Sequence, residues 1–254
     1  MENVILKAYF GGLGDNLQLS TLPEEFYKQQ GRETYIQDGA NFRNKEIYDL
    51  VWGMNPYVKG VSSGNWNAGD TPEIVISNCN NNWINSWESA HGLEPKNKYP
   101  KIYYKPNKIK EYQDVILVDF TATSLKFDGI GDGYDIEKLK KSFQELVSKY
   151  PDKKFVEVKF KKDINESNIN IDCDDQVMIE SIFHYCDLMY SSSGLAGLHS
   201  GSTALASAIK GYREDLDIFV FVSDTLYNNM QKWMRGELKF GAFYLDYVNY
   251  IITK

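Results

Sequence analysis

Two turns of small residues, each straight after an apolar run, constrain this chain more than any other feature. The first, Gly11-Gly12-Leu13-Gly14-Asp15-Asn16, follows Val4-Ile5-Leu6-Lys7-Ala8-Tyr9-Phe10. The second runs from Ser191 through Gly194 to Gly201 and follows Cys186-Asp187-Leu188-Met189-Tyr190. Each reads as a buried strand, a small-residue loop and a helix start. That geometry aims free backbone N–H groups and the positive end of a helix dipole at one spot. One such loop in each half predicts two α/β lobes facing a cleft, one holding an acceptor and the other a charged donor.

The periodicity between the turns supports two lobes. The first reads as a strand Val4–Phe10, a helical stretch Asp15–Gln30 broken or restarted at Pro23, a strand Thr34–Ile36, a helix Glu46–Trp52 and a strand Glu73–Ser77. The second reads as a strand Asp114–Phe120, an amphipathic helix Asp135–Tyr150 stopped by Pro151, and a strand Lys154–Phe160. A helix Asp175–Cys186, a strand Leu188–Tyr190, a helix Leu195–Ile209 and a strand Asp217–Val222 follow. Strands alternating with helices predict parallel sheets joined by right-handed crossovers. The alternation restarts near Tyr112, so residues 1–111 form the first lobe and 112–254 the second.

Composition narrows the partners. With 43% hydrophobic and 14% aromatic residues, the 254-residue chain has ample material for packed cores. A formal net charge of −7 argues against general nucleic-acid binding. No apolar stretch approaches the roughly 20 residues of a membrane span, and the start lacks the basic region of a secretion signal. Cys79, Cys173 and Cys186 are an odd number without metal-like spacing, which reads as free thiols in a reducing, cytoplasmic compartment. His91, His184 and His199 are too scattered for a zinc site, and no metal is expected. Lys96–Lys110 interleaves lysines with Tyr99, Tyr103 and Tyr104. It reads as a solvated interdomain connector or as a basic, aromatic surface for anionic lipid at the inner face of a membrane or for a phosphorylated acceptor.

The first turn is neither of the common nucleotide loops. Counting from Gly12 and Gly14, the third glycine of a dinucleotide fingerprint would fall at Leu17, and no Gly-Lys-Ser/Thr follows. What remains is a tight turn with Asp15 at a helix start. On spacing alone Asp15 is a helix cap or a reactive carboxylate.

The segment from Ile5 through Asp15 to Pro23 resembles the opening of the ADP-heptose:lipopolysaccharide heptosyltransferases, glycosyltransferase family 9. Asn55-Pro56-Tyr57-Val58 is similar to that family's next landmark, and Ser191-Ser192-Ser193-Gly194-Leu195 to its Asp-Thr-Gly-Leu segment. The resemblance implies the GT-B fold: two Rossmann-like lobes, acceptor in the first and nucleotide-sugar donor in the second, with the chain's end, Phe240–Ile252, packing back on the first. It implies a metal-independent transfer of a sugar from a nucleotide diphosphate to a hydroxyl of a glycan or glycolipid. Asp15 matches the general base, with Gly12, Gly14 and Asn16 on the acceptor side. Thr121, Thr123, Ser124 and Lys126 match the loop that meets the donor diphosphate, together with Ser192, Ser193, Gly194 and Leu195. Lys126 would offset the leaving group's charge without a metal or other cofactor, or is a solvated loop lysine. Two departures stand out: the carboxylate of Asp-Thr-Gly is replaced by Ser192, and the histidine lies five residues on, at His199. His199 also fits a partly buried structural histidine, and the donor sugar stays open.

Asn78 to Trp87, with its amides and two indoles, suits a carbohydrate, or else packs Trp83 and Trp87 into the core at helical spacing. A second function fits the same features: a non-catalytic nucleotide-sugar or glycan-binding protein that keeps the fold. A nucleotide-sugar epimerase fits less well, lacking the third glycine and a Tyr-x-x-x-Lys pair.

Overall fold

The structure, a computed structural model, describes residues 2–39, 42–70, 82–121, 135–160, 169, 171–234 and 245–253. The strand expected at Glu73–Ser77, the amides Asn78–Asn81 and the loop residues Thr123, Ser124 and Lys126 lie outside them. The chain divides into two compact units, Met1–Lys105 with Lys232–Asp246, and Pro106–Gln231 with Tyr247–Lys254.

The first unit holds a parallel sheet in the order β3-β2-β1-β4, made of β1 (Val4–Lys7), β2 (Thr34–Gln37), β3 (Val58–Ser62) and β4 (Ala68–Gly69). Between β1 and β2 the chain forms α1 (Leu13–Leu17) and α2 (Leu22–Gln30). Pro23 sits in the first turn of α2, where its missing N–H costs nothing, and Gly31 closes that helix at φ 63°. Lys45–Tyr48 forms α3, which widens into one π turn over Asp49–Gly53 and buries Leu50, Val51 and Trp52. Trp83–Ala90 forms α4, capped by Asn82, whose Oδ1 accepts from Ile84 N at 2.9 Å.

The second unit holds a six-stranded parallel sheet. Its strands are β5 (Val115–Asp119), β6 (Lys154–Phe160), β7 (Asp175–Ile179), β8 (Gly194–Leu198), β9 (Asp217–Ser223) and β10 (Asn249–Thr253), in the order β10-β9-β8-β5-β6-β7. The helices α5 (Ile136–Lys149), α6 (Ile182–Ser191), α7 (Gly201–Lys210) and α8 (Asp224–Met234) connect them. Leu139, Phe143 and Leu146 form the buried stripe of α5, and Phe143 meets Phe155 edge-on at 5.6 Å and lies 6.4 Å from Phe221.

Three elements differ from expectation. Asp175–Ile179 is an edge strand, not the start of a helix; only Ile179 is buried, so no period betrays it. Leu188–Tyr190 is the end of α6, which begins at the Ser181 cap and buries Tyr185, Cys186, Leu188 and Met189 on one face. Leu195 does not open a helix. It lies in β8, buried along its whole length between β5 and β9. Glycine is needed there, because a Cβ on Gly194 would stand 2.9 Å from Asp217 O and one on Gly197 3.0 Å from Asp119 O.

The unit boundary falls at Lys105/Pro106 rather than at Tyr112. The intervening segment belongs to the second unit because Asn107 N donates to Asp187 Oδ1 and Ile109 N to Ser191 Oγ, both at 2.8 Å. The chain's end is shared. Leu245 bridges to Asn82 in the first unit, whereas Asn249–Thr253, part of the stretch expected on the first lobe, pairs with β9 in the second.

Candidate functional site

In a parallel sheet the loops at the carboxyl edge carry the free N–H groups and ligand contacts. In the first unit that edge is built from the β1–α1 turn and the end of β4. Gly11 takes φ 65°, and its carbonyl accepts from Arg43 N at 2.8 Å. Gly12 is the extended cap residue of α1, and its N–H donates to Asp15 Oδ2 at 2.8 Å. A Cβ on Gly12 would stand 2.7 Å from that same oxygen, so the glycine makes room for the carboxylate. Burial pushes the Asp15 carboxyl above its ordinary value, against the Gly12 N–H and the Arg43 charge.

Asn16 does not face an acceptor as expected. It is buried, donating to Gly12 O at 2.8 Å and accepting Trp52 Nε1 at 2.6 Å, so it braces the turn. Gly14 is a helix residue whose carbonyl accepts Gln18 N. The loop before Asp15 presents Tyr9 and Phe10, 45% and 62% exposed, with rings 5.0 Å apart and edge-on. Lys7 Nζ lies 5.3 Å from the Tyr9 ring and 5.7 Å from that of Trp66.

A second carboxylate, Asp70, follows directly after β4, is only 8% exposed and lies within reach of the Asp15 charge. It accepts Tyr9 N at 2.5 Å and Gln18 Nε2 at 2.9 Å. Burial, and then the Asp15 charge, push its carboxyl up to about 6. Sequence reasoning missed Asp70 because the two-residue strand before it leaves no periodic signal. Gly69 at φ 145° and His91 set its position; His91 Nδ1 donates to Trp87 O at 2.8 Å and Nε2 accepts Gly69 N at 3.0 Å. Trp83 and Trp87 are buried rather than open to a sugar face, 5.6 Å apart and perpendicular, and both indole N–H groups donate to Gln18 Oε1.

The Lys96–Lys110 segment is partly tied down. Lys101 Nζ donates to Glu24 Oε2 at 2.5 Å and Tyr103 OH to the same oxygen at 3.0 Å, while Asn97 Nδ2 donates to Glu25 Oε1 at 2.9 Å.

In the second unit the expected donor residues separate. Ser192, Ser193 and the start of β8 lie at the amino edge, since Gly194 is level with Ile116, whereas Thr121 lies past Asp119 at the carboxyl edge. At about 3.3 Å per residue the two loops are some 20 Å apart. Ser192 Oγ donates to Met189 O or Gly194 O, Ser193 Oγ to Val115 O, and Arg213 caps Tyr190 O and Ser192 O. This loop is structural, and Ser192, Ser193, Gly194 and Leu195 do not converge with Thr121.

The turn at the carboxyl edge is instead Leu198-His199-Ser200-Gly201, where α7 starts. Ser200 Oγ and Ser202 Oγ are 2.8 Å apart, Thr203 Oγ1 donates to Leu198 O, and His199 is half-buried in the turn. Beneath them Asp119, 2% exposed, accepts Thr121 N at 2.9 Å, Thr121 Oγ1 at 2.5 Å and Tyr185 OH at 2.8 Å, with Ser202 as a further hydrogen-bond partner. Burial raises its carboxyl. The Thr121 hydroxyl proton is therefore given to Asp119 rather than held out to a ligand. Asp119 and Ser202 were missed, although a lone carboxylate closing an apolar strand was a readable signal. Among the described residues no group of three or more His, Cys, Asp or Glu could hold a metal ion, and no helix is long and apolar enough to cross a membrane.

No protein-family model and no curated protein matches the sequence. Solved structures do resemble it. Heptosyltransferase WaaC of E. coli, solved with ADP, superposes at TM-score 0.59 with 8% identity, over 99% of this chain and 93% of WaaC. A glycosyltransferase family 9 protein from Veillonella parvula gives TM-score 0.58 with 8% identity, over 98% and 85%. The fold is of the family 9 heptosyltransferase type. The iron-containing dodecameric glycosyltransferase TibC of enterotoxigenic E. coli, at TM-score 0.56 and 13% identity, aligns over 86% of this chain, which spans 57% of TibC's length. The heptosyltransferase-type fold agrees with the two parallel sheets of this chain.

Proposed function

We propose that the protein is a glycosyltransferase that moves a sugar from a nucleotide-diphosphate donor to a hydroxyl of a glycan or glycolipid, without a metal, with Asp15 as general base. The observation that carries this is Asp15 itself. Its carboxylate sits at the carboxyl edge of the first sheet, with one oxygen anchored by Gly12 N–H and a carboxyl raised by burial. A carboxylate so held has a second oxygen for an acceptor hydroxyl and a raised affinity for its proton. The solved structures of WaaC with ADP and TibC with ADP-D-β-D-heptose make a nucleotide-diphosphate sugar the natural donor class.

On the donor side, the start of α7 at Ser200–Ser202 takes the diphosphate through backbone N–H groups, and Asp119 anchors Thr121, which Thr123, Ser124 and Lys126 follow in the sequence. Lys126 offsets the charge of the leaving diphosphate. The reaction belongs in the cytoplasm, where nucleotide sugars are the donors.

Asp15→Asn tests the base. Asparagine keeps an oxygen for Gly12 N–H but cannot take a proton. With a panel of nucleotide sugars and glycan acceptors, the variant should lose on the order of a hundredfold in turnover, with a melting temperature no lower than the wild type's and unchanged nucleotide affinity. Full turnover in the variant removes Asp15 from the reaction. Tight nucleotide-sugar binding with no transfer by the wild type makes the protein a binding module.

A further inference from the structure

Asp70 is a buried carboxylate that capping does not explain. Its partners fix it firmly. An indole nitrogen only donates, so Trp83 and Trp87, at 2.5 and 3.1 Å, oblige Gln18 Oε1 to accept. Gln18 Nε2 is thereby turned to Asp70 Oδ2, while Tyr9 N–H holds Oδ1. Asp15 and Gln18 are three residues apart on α1 and its cap, hence on one face. The face that carries Asp15 is thus the face against which Asp70 is held.

We infer that Asp70 is a positioning residue of the reaction proposed above: held beside Asp15 by the Gln18 amide and the Tyr9 N–H, it supplies the second negative charge of a two-carboxylate base. The inference rests on that proposed reaction. In the step, the acceptor O–H bond breaks and its proton passes to Asp15. The freed oxygen bonds the anomeric carbon, and the bond from that carbon to the diphosphate oxygen breaks, its electron pair leaving with the nucleotide diphosphate. With Asp70 ionised, the proton arriving on Asp15 relieves a like-charge repulsion, so the pair holds it more strongly than a lone aspartate would. Among the described residues, the titratable groups about the pair include Arg43 near Asp15, Lys7 on β1 with its ammonium over the Tyr9 and Trp66 rings, and His91, whose burial lowers its affinity for a proton.

Two measurements test it. The first needs no substrate: carboxyl 13C titration of the wild type and of Asp15→Asn, which leaves every contact of Asp70 in place. The Asp70 carboxyl should titrate near 6 in the wild type and lower in the variant. An unchanged titration overturns the inference. The second is the pH profile of turnover in Asp70→Asn and Asp70→Glu, over the same panel of nucleotide sugars. The acid limb should lie near 6 in the wild type, move down in Asp70→Asn with a plateau lowered about three- to tenfold at unchanged KM, and return towards wild type in Asp70→Glu. A merely structural Asp70 would lower turnover equally at every pH. Turnover without coupling overturns Asp70's part alone. Coupling in a protein that transfers no sugar overturns it together with the base assigned to Asp15.

Discussion

The hydroxyl of Tyr185 donates to Oδ2 of Asp119 across 2.8 Å, tying α6 to the end of the central strand β5, with both residues buried. A carboxylate this deep is held by its donors, Thr121 N–H and Oγ1, Tyr185 OH and Ser202. Removing one donor leaves a buried acceptor short of a partner. Tyr185→Phe should therefore destabilise the protein by about 1–3 kcal/mol, measured by denaturant melts. A loss below about 0.5 kcal/mol would mean that water replaces the hydroxyl.

The same network positions the turn assigned to the donor. Ser202→Ala should weaken ADP or UDP binding several-fold by calorimetry while leaving the Asp15 side untouched. Ser192→Ala, at the amino edge, should leave nucleotide affinity unchanged, because its hydroxyl meets only Met189 O and Gly194 O. Equal effects from both substitutions would argue against the Ser200–Ser202 turn.

Asp70 also makes stability depend on pH. Its folded carboxyl lies at about 6, above the ordinary 3.8, so the folded state favours the protonated form. Stability from this group is full below pH 4 and is lost as pH rises through 6, a change on the order of 3 kcal/mol. Melts of wild type against Asp70→Asn between pH 4 and 7 should converge in slope everywhere except across this window, where only the wild type falls.

Two glycines should tolerate no side chain. Gly69 holds φ 145°, and a Cβ there would stand 2.1 Å from Lys7 O; Gly197 would meet Asp119 O at 3.0 Å. Gly69→Ala should shift β4 and with it Asp70, costing both stability and turnover. Gly197→Ala should cost about 1–3 kcal/mol by overpacking β8 against β5. Gly92→Ala, at φ 71° with open space around it, should suffer only the backbone penalty, about 1 kcal/mol. Thermal melts of the three variants rank them.

By itself the sequence determined what local periodicity can encode. β2, β5, β6, β9 and α5 lie within a residue or two of their expected bounds, because their apolar spacing and caps are continuous in the chain. The first glycine turn is also local, and it put Asp15 at a helix start in both readings. Tertiary structure decided the rest. Gly194–Leu198 became a strand by pairing with β5 and β9, whose backbones approach Gly194 and Gly197 too closely for a side chain, a constraint set by neighbours far along the chain. Asp175–Ile179 became a strand only by pairing with β6 at the sheet edge. Asp70 and Asp119 acquired their roles through burial and through donors 52 to 66 residues away, Gln18, Tyr9 and Tyr185. A carboxylate's proton affinity is a property of its surroundings, and those exist only once the chain has folded.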